Sequence, residues 1–88
     1  MSINTEVSNK KALAKLGAAI RKRRKKLSMT QCELSVLARV SVNLLCQVEN
    51  GKTTTQIGKL LDIISTLGMQ FTLENGKERI CLSAEFTK

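Results

Sequence analysis

Apolar residues return every three or four positions along most of this chain, and every second position near its end. Leu13, Leu16, Ile20 and Leu27 form the inner stripe of a first helix, capped by Ser8 or Asn9 and running to about Leu27. Gly17 lets a neighbouring helix come close, at a modest cost in helix propensity. Thr30 starts a second helix, and Glu33 three residues on completes a capping box. Leu34, Leu37 and Ala38 are its inner positions, and Val40 is an apolar turn residue. Ser41 caps a third helix with Leu45 and Val48 inside, which Asn50-Gly51 stops because both tolerate the left-handed backbone of a helix end. Val42, Asn43 and Gln47 are left pointing away from the core.

One of Thr53–Thr55 caps a last helix, with Ile57, Leu60, Leu61, Ile64 and Leu67 on its stripe and Gly68 at its end. The period then becomes two: Met69, Phe71 and Leu73 alternate with polar residues. Asn75-Gly76 is a hairpin signal, and Ile80 and Leu82 belong to a second, weaker strand. The expected layout is a flexible tail over 1–9, a helical domain over 10–68, a strand or hairpin over 69–82 and a tail over 83–88.

Eighty-eight residues make one small domain that buries only part of its surface. With no Pro, Trp or Tyr, and Phe71 and Phe86 as the only aromatics, its core is aliphatic. A lone hairpin is marginal in water and its edge invites pairing. Either Met69, Phe71, Leu73, Ile80 and Leu82 join a second copy about a twofold axis, or the hairpin folds back on the last helix.

The formal net charge is +8 at pH 7. Residues 1–68 hold twelve Lys/Arg against four Asp/Glu, whereas residues 69–88 hold three of each. The helical part therefore suits a polyanion, bound with counterion release, unless the charge only keeps the chain soluble. A basic helix can also lie on acidic membranes, but this one carries a core stripe and no large interfacial aromatic. Nothing has the length of a signal or a membrane span. Cys32, Cys46 and Cys81 lack C-x-x-C spacing and His is absent, so no metal site, no zinc and no cofactor is expected. Reduced thiols fit a cytoplasmic protein. No paired-carboxylate motif or phosphate-binding glycine loop suggests an enzyme.

The layout over 30–52 is that of a helix–turn–helix, which places its second helix in the major groove. Asn43 and Gln47, four apart, share one face, and such amides pair bidentately with adenine. Val42 can pack on a thymine methyl, and Ser41 can donate to a base or a phosphate. Lys52 and Arg39 are candidate phosphate contacts. Arg21, with Lys22 and Lys25, either lies near the DNA backbone or forms a solvated charged face. Leu44, off the inner stripe, is left with three possible neighbours: the first helix, a twofold mate or DNA.

Residues 16–68 resemble the Cro/cI-type (XRE) helix–turn–helix repressors. Leu16, Ile20 and Arg24 carry the likeness, with Thr30-Gln31, Leu34, Val40-Ser41, Leu45, Val48–Lys52, Leu60 and Leu67-Gly68. The resemblance implies a mostly α, four- to five-helix lambda-repressor-like bundle and a homodimer on palindromic double-stranded operator DNA. It implies an Arg24–Glu49 ion pair, with Arg24 also a possible phosphate contact, and a phosphate grip by Gln31. Three residues depart from the pattern: Ser28 and Arg39 stand where Gly is common, and Thr55 where Pro is frequent. The strand directly after Leu67-Gly68 is similar to that of the HipB-type antitoxins, in which it completes a dimer. That likeness implies autorepression of an operon and binding to a HipA-like serine/threonine kinase toxin. A stand-alone phage-type or general regulator, and an antitoxin acting mainly by protein–protein inhibition, are the alternatives. A kinase-like neighbouring gene would favour either antitoxin reading.

Overall fold

The computed structural model describes residues 5–52 and 56–82. Four helices, α1 (Thr5–Lys26), α2 (Gln31–Ala38), α3 (Val42–Glu49) and α4 (Ile57–Thr66), precede two strands, β1 (Phe71–Asn75) and β2 (Glu78–Leu82). The helices enclose Ile20, Leu34, Ala38, Leu45, Val48, Ile63, Ile64 and Leu67, all buried. Leu16, Met29, Val40, Leu44, Leu60, Met69 and Phe71 pack around that cluster, half-buried.

Every helix ends the same way. A residue with positive φ follows it, and two backbone N–H groups turn back to the last turn's carbonyls. Met29 and Ser28 donate to Arg24 and Lys25, and Val40 and Arg39 donate to Ser35 and Val36. Lys52 and Gly51 donate to Gln47 and Val48, and Met69 and Gly68 to Ile64 and Ser65. Gly51 (φ 78°) and Gly68 (φ 73°) suit this conformation, whereas Ser28 (φ 60°) and Arg39 (φ 61°) adopt it with a side chain in place. Each of those two costs about 1 kcal/mol. At the turn between α2 and α3, Arg39 itself takes the left-handed conformation that ends the helix.

Several expectations need correction. α1 begins at Thr5, ahead of the Ser8 or Asn9 cap, because no Gly or Pro interrupts the backbone ladder there. The N-cap of α4 is Gln56, which makes no side-chain capping bond; Thr53–Thr55 lie outside the described residues. Leu27 (42% exposed), Leu37 (62%) and Ile57 (64%) stand outside the core, and Ile63, absent from the expected stripe, is fully inside it. Leu37 borders an open groove of about 500 Å³ on the outer side of α2, with Met29, Cys32 and Val36.

The strands pair antiparallel, with Phe71 opposite Leu82, Leu73 opposite Ile80 and Asn75 opposite Glu78. The two-residue loop is therefore Gly76-Lys77, with Gly76 (φ 61°) at the position where a type II′ turn needs glycine. Asn75 closes the strand instead of making the turn. Met69 and Phe71 tie the base of the hairpin to the helices, while Leu73 is 51% exposed.

Of the glycines, Gly17 has the tightest surroundings. A Cβ there would lie 2.7 Å from the Glu49 carbonyl oxygen and nearer still to that of Val48. The obstacle is backbone, which cannot rotate away. Gly17→Ala should therefore lower stability by roughly 1–3 kcal/mol of overpacking, offsetting the propensity gain of about 1 kcal/mol. Urea unfolding measures this, and a raised midpoint would show that α1 and α3 are not in contact here.

Candidate nucleic-acid interface

α3 is eight residues long, so one face must satisfy the core and the other is free. Leu45, Val48 and Glu49 occupy the inner face. Asn43, exposed, and Gln47, half-buried, lie along the opposite side, and Val42 is 43% exposed at the start of the helix. The Ser41 hydroxyl accepts the Leu44 N–H at 3.0 Å and fixes the first turn. Leu44 packs against the core cluster, which decides its neighbours in favour of the domain's own interior. At the end of α3, the Asn50 side-chain amide donates to the half-buried Cys46 thiol at 3.5 Å.

Glu49 locks this helix to the other two. Arg24 Nε donates to Glu49 Oε2 at 2.7 Å and Arg24 Nη2 to Oε1 at 3.0 Å. Arg24 Nη1 donates to the Met29 carbonyl at 2.8 Å, and Gln31 Nε2 to Glu49 Oε1 at 3.1 Å. The two charged side chains are 9% and 2% exposed. Burial pushes the Glu49 carboxyl up, but hydrogen bonds from Arg24 and Gln31 and the charges of Arg24 and Arg21 outweigh it, so its pKa lies below the ordinary value. The Glu49 hydrogen bond holds the Arg24 guanidinium further above its usual value, against the opposing effect of burial.

The sequence-derived residues thus fall into distinct places. Ser41, Val42 and Asn43 sit on the exposed start of α3, with Gln47 one turn on. Arg21, Arg39 and Lys52 are exposed. Arg24 is turned inward onto Glu49 and Met29, so it acts as a clamp, with little surface left for a phosphate. Gln31 spends its side-chain N–H on Glu49, a contact with no signal in the spacing. The same holds for Arg23 Nε, which donates to the Leu67 carbonyl at 3.0 Å and ties α1 to the end of α4. Met69 and Phe71 are half-buried on their own domain, and Ile80 and Leu82 stand in register with Leu73 and Phe71. Among the described residues no group of His, Cys, Asp and Glu is placed to hold a metal, and no helix is long and apolar enough to cross a membrane.

The helix-turn-helix family model matches residues 20–73, which spans α2, the turn and α3 entirely. The chain belongs to the XRE-type helix-turn-helix family of DNA-binding transcriptional regulators. It is similar to the uncharacterized HTH-type transcriptional regulator y4mF of Sinorhizobium fredii, at 38% identity over 69 residues, covering 78% of this chain and 91% of that protein. As a regulator of this family it has DNA as its partner.

The buried pair gives the regulator a pH signature. A carboxylate with a lowered native pKa stabilises the fold above its unfolded pKa, near 4 to 4.5 in about the ordinary range, and loses that contribution as pH falls through the lower native value. Glu49→Ala at neutral pH strands Arg24 and should cost about 3–5 kcal/mol. With Glu49→Gln, the stability gap to the native chain should shrink as urea titrations move from neutral toward acid pH; a gap that stays constant contradicts the assignment.

Proposed function

We propose that this regulator is a dimeric repressor that reads a palindromic operator with Ser41, Val42, Asn43 and Gln47. The observation that carries the reading is the outward edge of α3: two amides one turn apart, an exposed Val42 beside them, and a buried Glu49 holding the opposite face. Arg21, Arg39, Lys52 and the start of α2 at Gln31 flank that edge as phosphate contacts. Two such edges about 34 Å apart match successive major grooves on one side of a duplex.

The hairpin supports the dimer. Leu73 is half exposed on a sheet that has two strands among the described residues, and a twofold partner would cover that side chain. Phe71 is partly engaged by its own core and contributes to both sides of the balance between fold and interface. An XRE domain followed at once by such an element is also similar to the HipB-type antitoxins. We therefore read the protein as an autorepressor whose further partner is a HipA-like kinase toxin, and co-purification from the native cell tests that part by the presence or absence of a kinase.

Selection of duplexes from a random library supplies the operator for the remaining tests. Gln47→Ala should lose roughly 1–3 kcal/mol of discrimination at one base position and leave the others alone. Lys52→Ala should weaken all sequences alike and reduce the salt slope by about one. Unchanged base preference in the first variant, or a single-position effect in the second, refutes the role given to each. Leu73→Asp should yield folded monomers by light scattering, since the side chain is not in the domain's own core; persistent dimers would place the interface elsewhere.

A further inference from the structure

The outer face of α1 takes no part in the fold or in the reading edge. At about 100° per residue, Lys11, Lys15, Lys22 and Lys26 fall within about 60° of one another. Gly17 and Arg24, which carry the contacts to α3, fall about 150–170° from the centre of that stripe. All four lysines are exposed, and no acidic residue occurs between Lys10 and Lys26. None of the four has an ion-pair partner among the described residues. Like charges one turn apart repel and weaken a helix. Lys11 and Lys15 form one such pair and Lys22 and Lys26 another, with exposed Ala18 and Ala19 between them.

We propose that this face docks an acidic protein element, an α-helix with carboxylates one turn apart, while α3 holds DNA. The stripe lies on the side of α1 away from α3, so a duplex seated on the reading edge leaves it open. A phosphate backbone would require only cations. The alanines give the middle of the face a small apolar saddle onto which another helix can pack closely, and the lysine pairs at its two ends match carboxylates spaced one turn apart. The inference rests on α3 being the DNA-facing helix.

The test uses the full chain and a labelled alanine-based helical peptide with Glu at the spacing of the four lysines. Anisotropy is read with and without saturating duplex. The native chain should bind the peptide in both conditions. Replacing all four residues (Lys11→Gln, Lys15→Gln, Lys22→Gln, Lys26→Gln) should weaken peptide binding about tenfold, the sum of several exposed pairs, and leave the salt slope for DNA unchanged. Ala18→Arg should also weaken it, although it adds a cation. Three results overturn the proposal: equal peptide binding by the lysine variant, tighter binding by Ala18→Arg, or a DNA salt slope reduced by several units, which would give the stripe to DNA. Loss of duplex binding by the native chain strikes the operator reading instead, and the titration without duplex still tests the stripe.

Discussion

An ion pair shut inside a very small domain sets the pose of the helix that carries Asn43 and Gln47. Glu49 is the last residue of α3, and its carboxylate is reached by α1 through Arg24 and by the start of α2 through Gln31. Three helices are thereby fixed at one point. Desolvating two charges is costly, and well-packed apolar residues in their place are often as stable. What the pair supplies is direction: bidentate geometry tolerates little rotation of α3 about its axis. If Glu49 faces inward, Asn43 and Gln47 face outward. Gly17 complements this by letting the backbones of α1 and α3 touch.

The rest of the fold is economical in the same sense. Each helix stops by one hydrogen-bonded device, and two of the four use a residue that is not glycine. Strain at Ser28 and Arg39 is accepted where the turns bracket α2, the helix that carries Gln31 to Glu49. Exposed cations at Arg21, Arg39 and Lys52 come from three separate segments. They share the helical part of the chain, while the hairpin is formally neutral. Polyanion attraction and strand pairing are thus kept in different parts of the molecule.

Much of this was legible in the residues themselves. Capping signals at Thr30 and Ser41, the stop at Asn50-Gly51 and the change of period after Gly68 depend on local chemistry, and the helices and strands follow them closely. Inner faces were less legible. An eight-residue helix makes little more than two turns, so Leu34, Leu37 and Ala38 fit one stripe on paper, yet Leu37 lies outside. In α4 the adjacent pairs Leu60-Leu61 and Ile63-Ile64 hid Ile63 beside its neighbour, and the periodicity drew Ile57 inward although it opens the helix and is 64% exposed. Contacts made at long range by polar ends, Gln31 to Glu49 and Arg23 to the Leu67 carbonyl, leave no periodic trace. The outward edge of α3 was readable because it is what remains once the inner positions of the helix are assigned. The hairpin too is visible in the alternation, although the alternation draws Leu73 inward and half of it stays exposed.

The central claim is that the outward amides of α3 are what the regulator brings to the bases. Nitrogen-15 NMR of the side-chain amide groups, during titration with a duplex chosen from a random library, addresses it directly. Asn43 and Gln47 should show the largest side-chain shifts and intermolecular contacts to base protons. Unmoved Asn43 and Gln47 resonances in a saturated, sequence-specific complex would contradict the account.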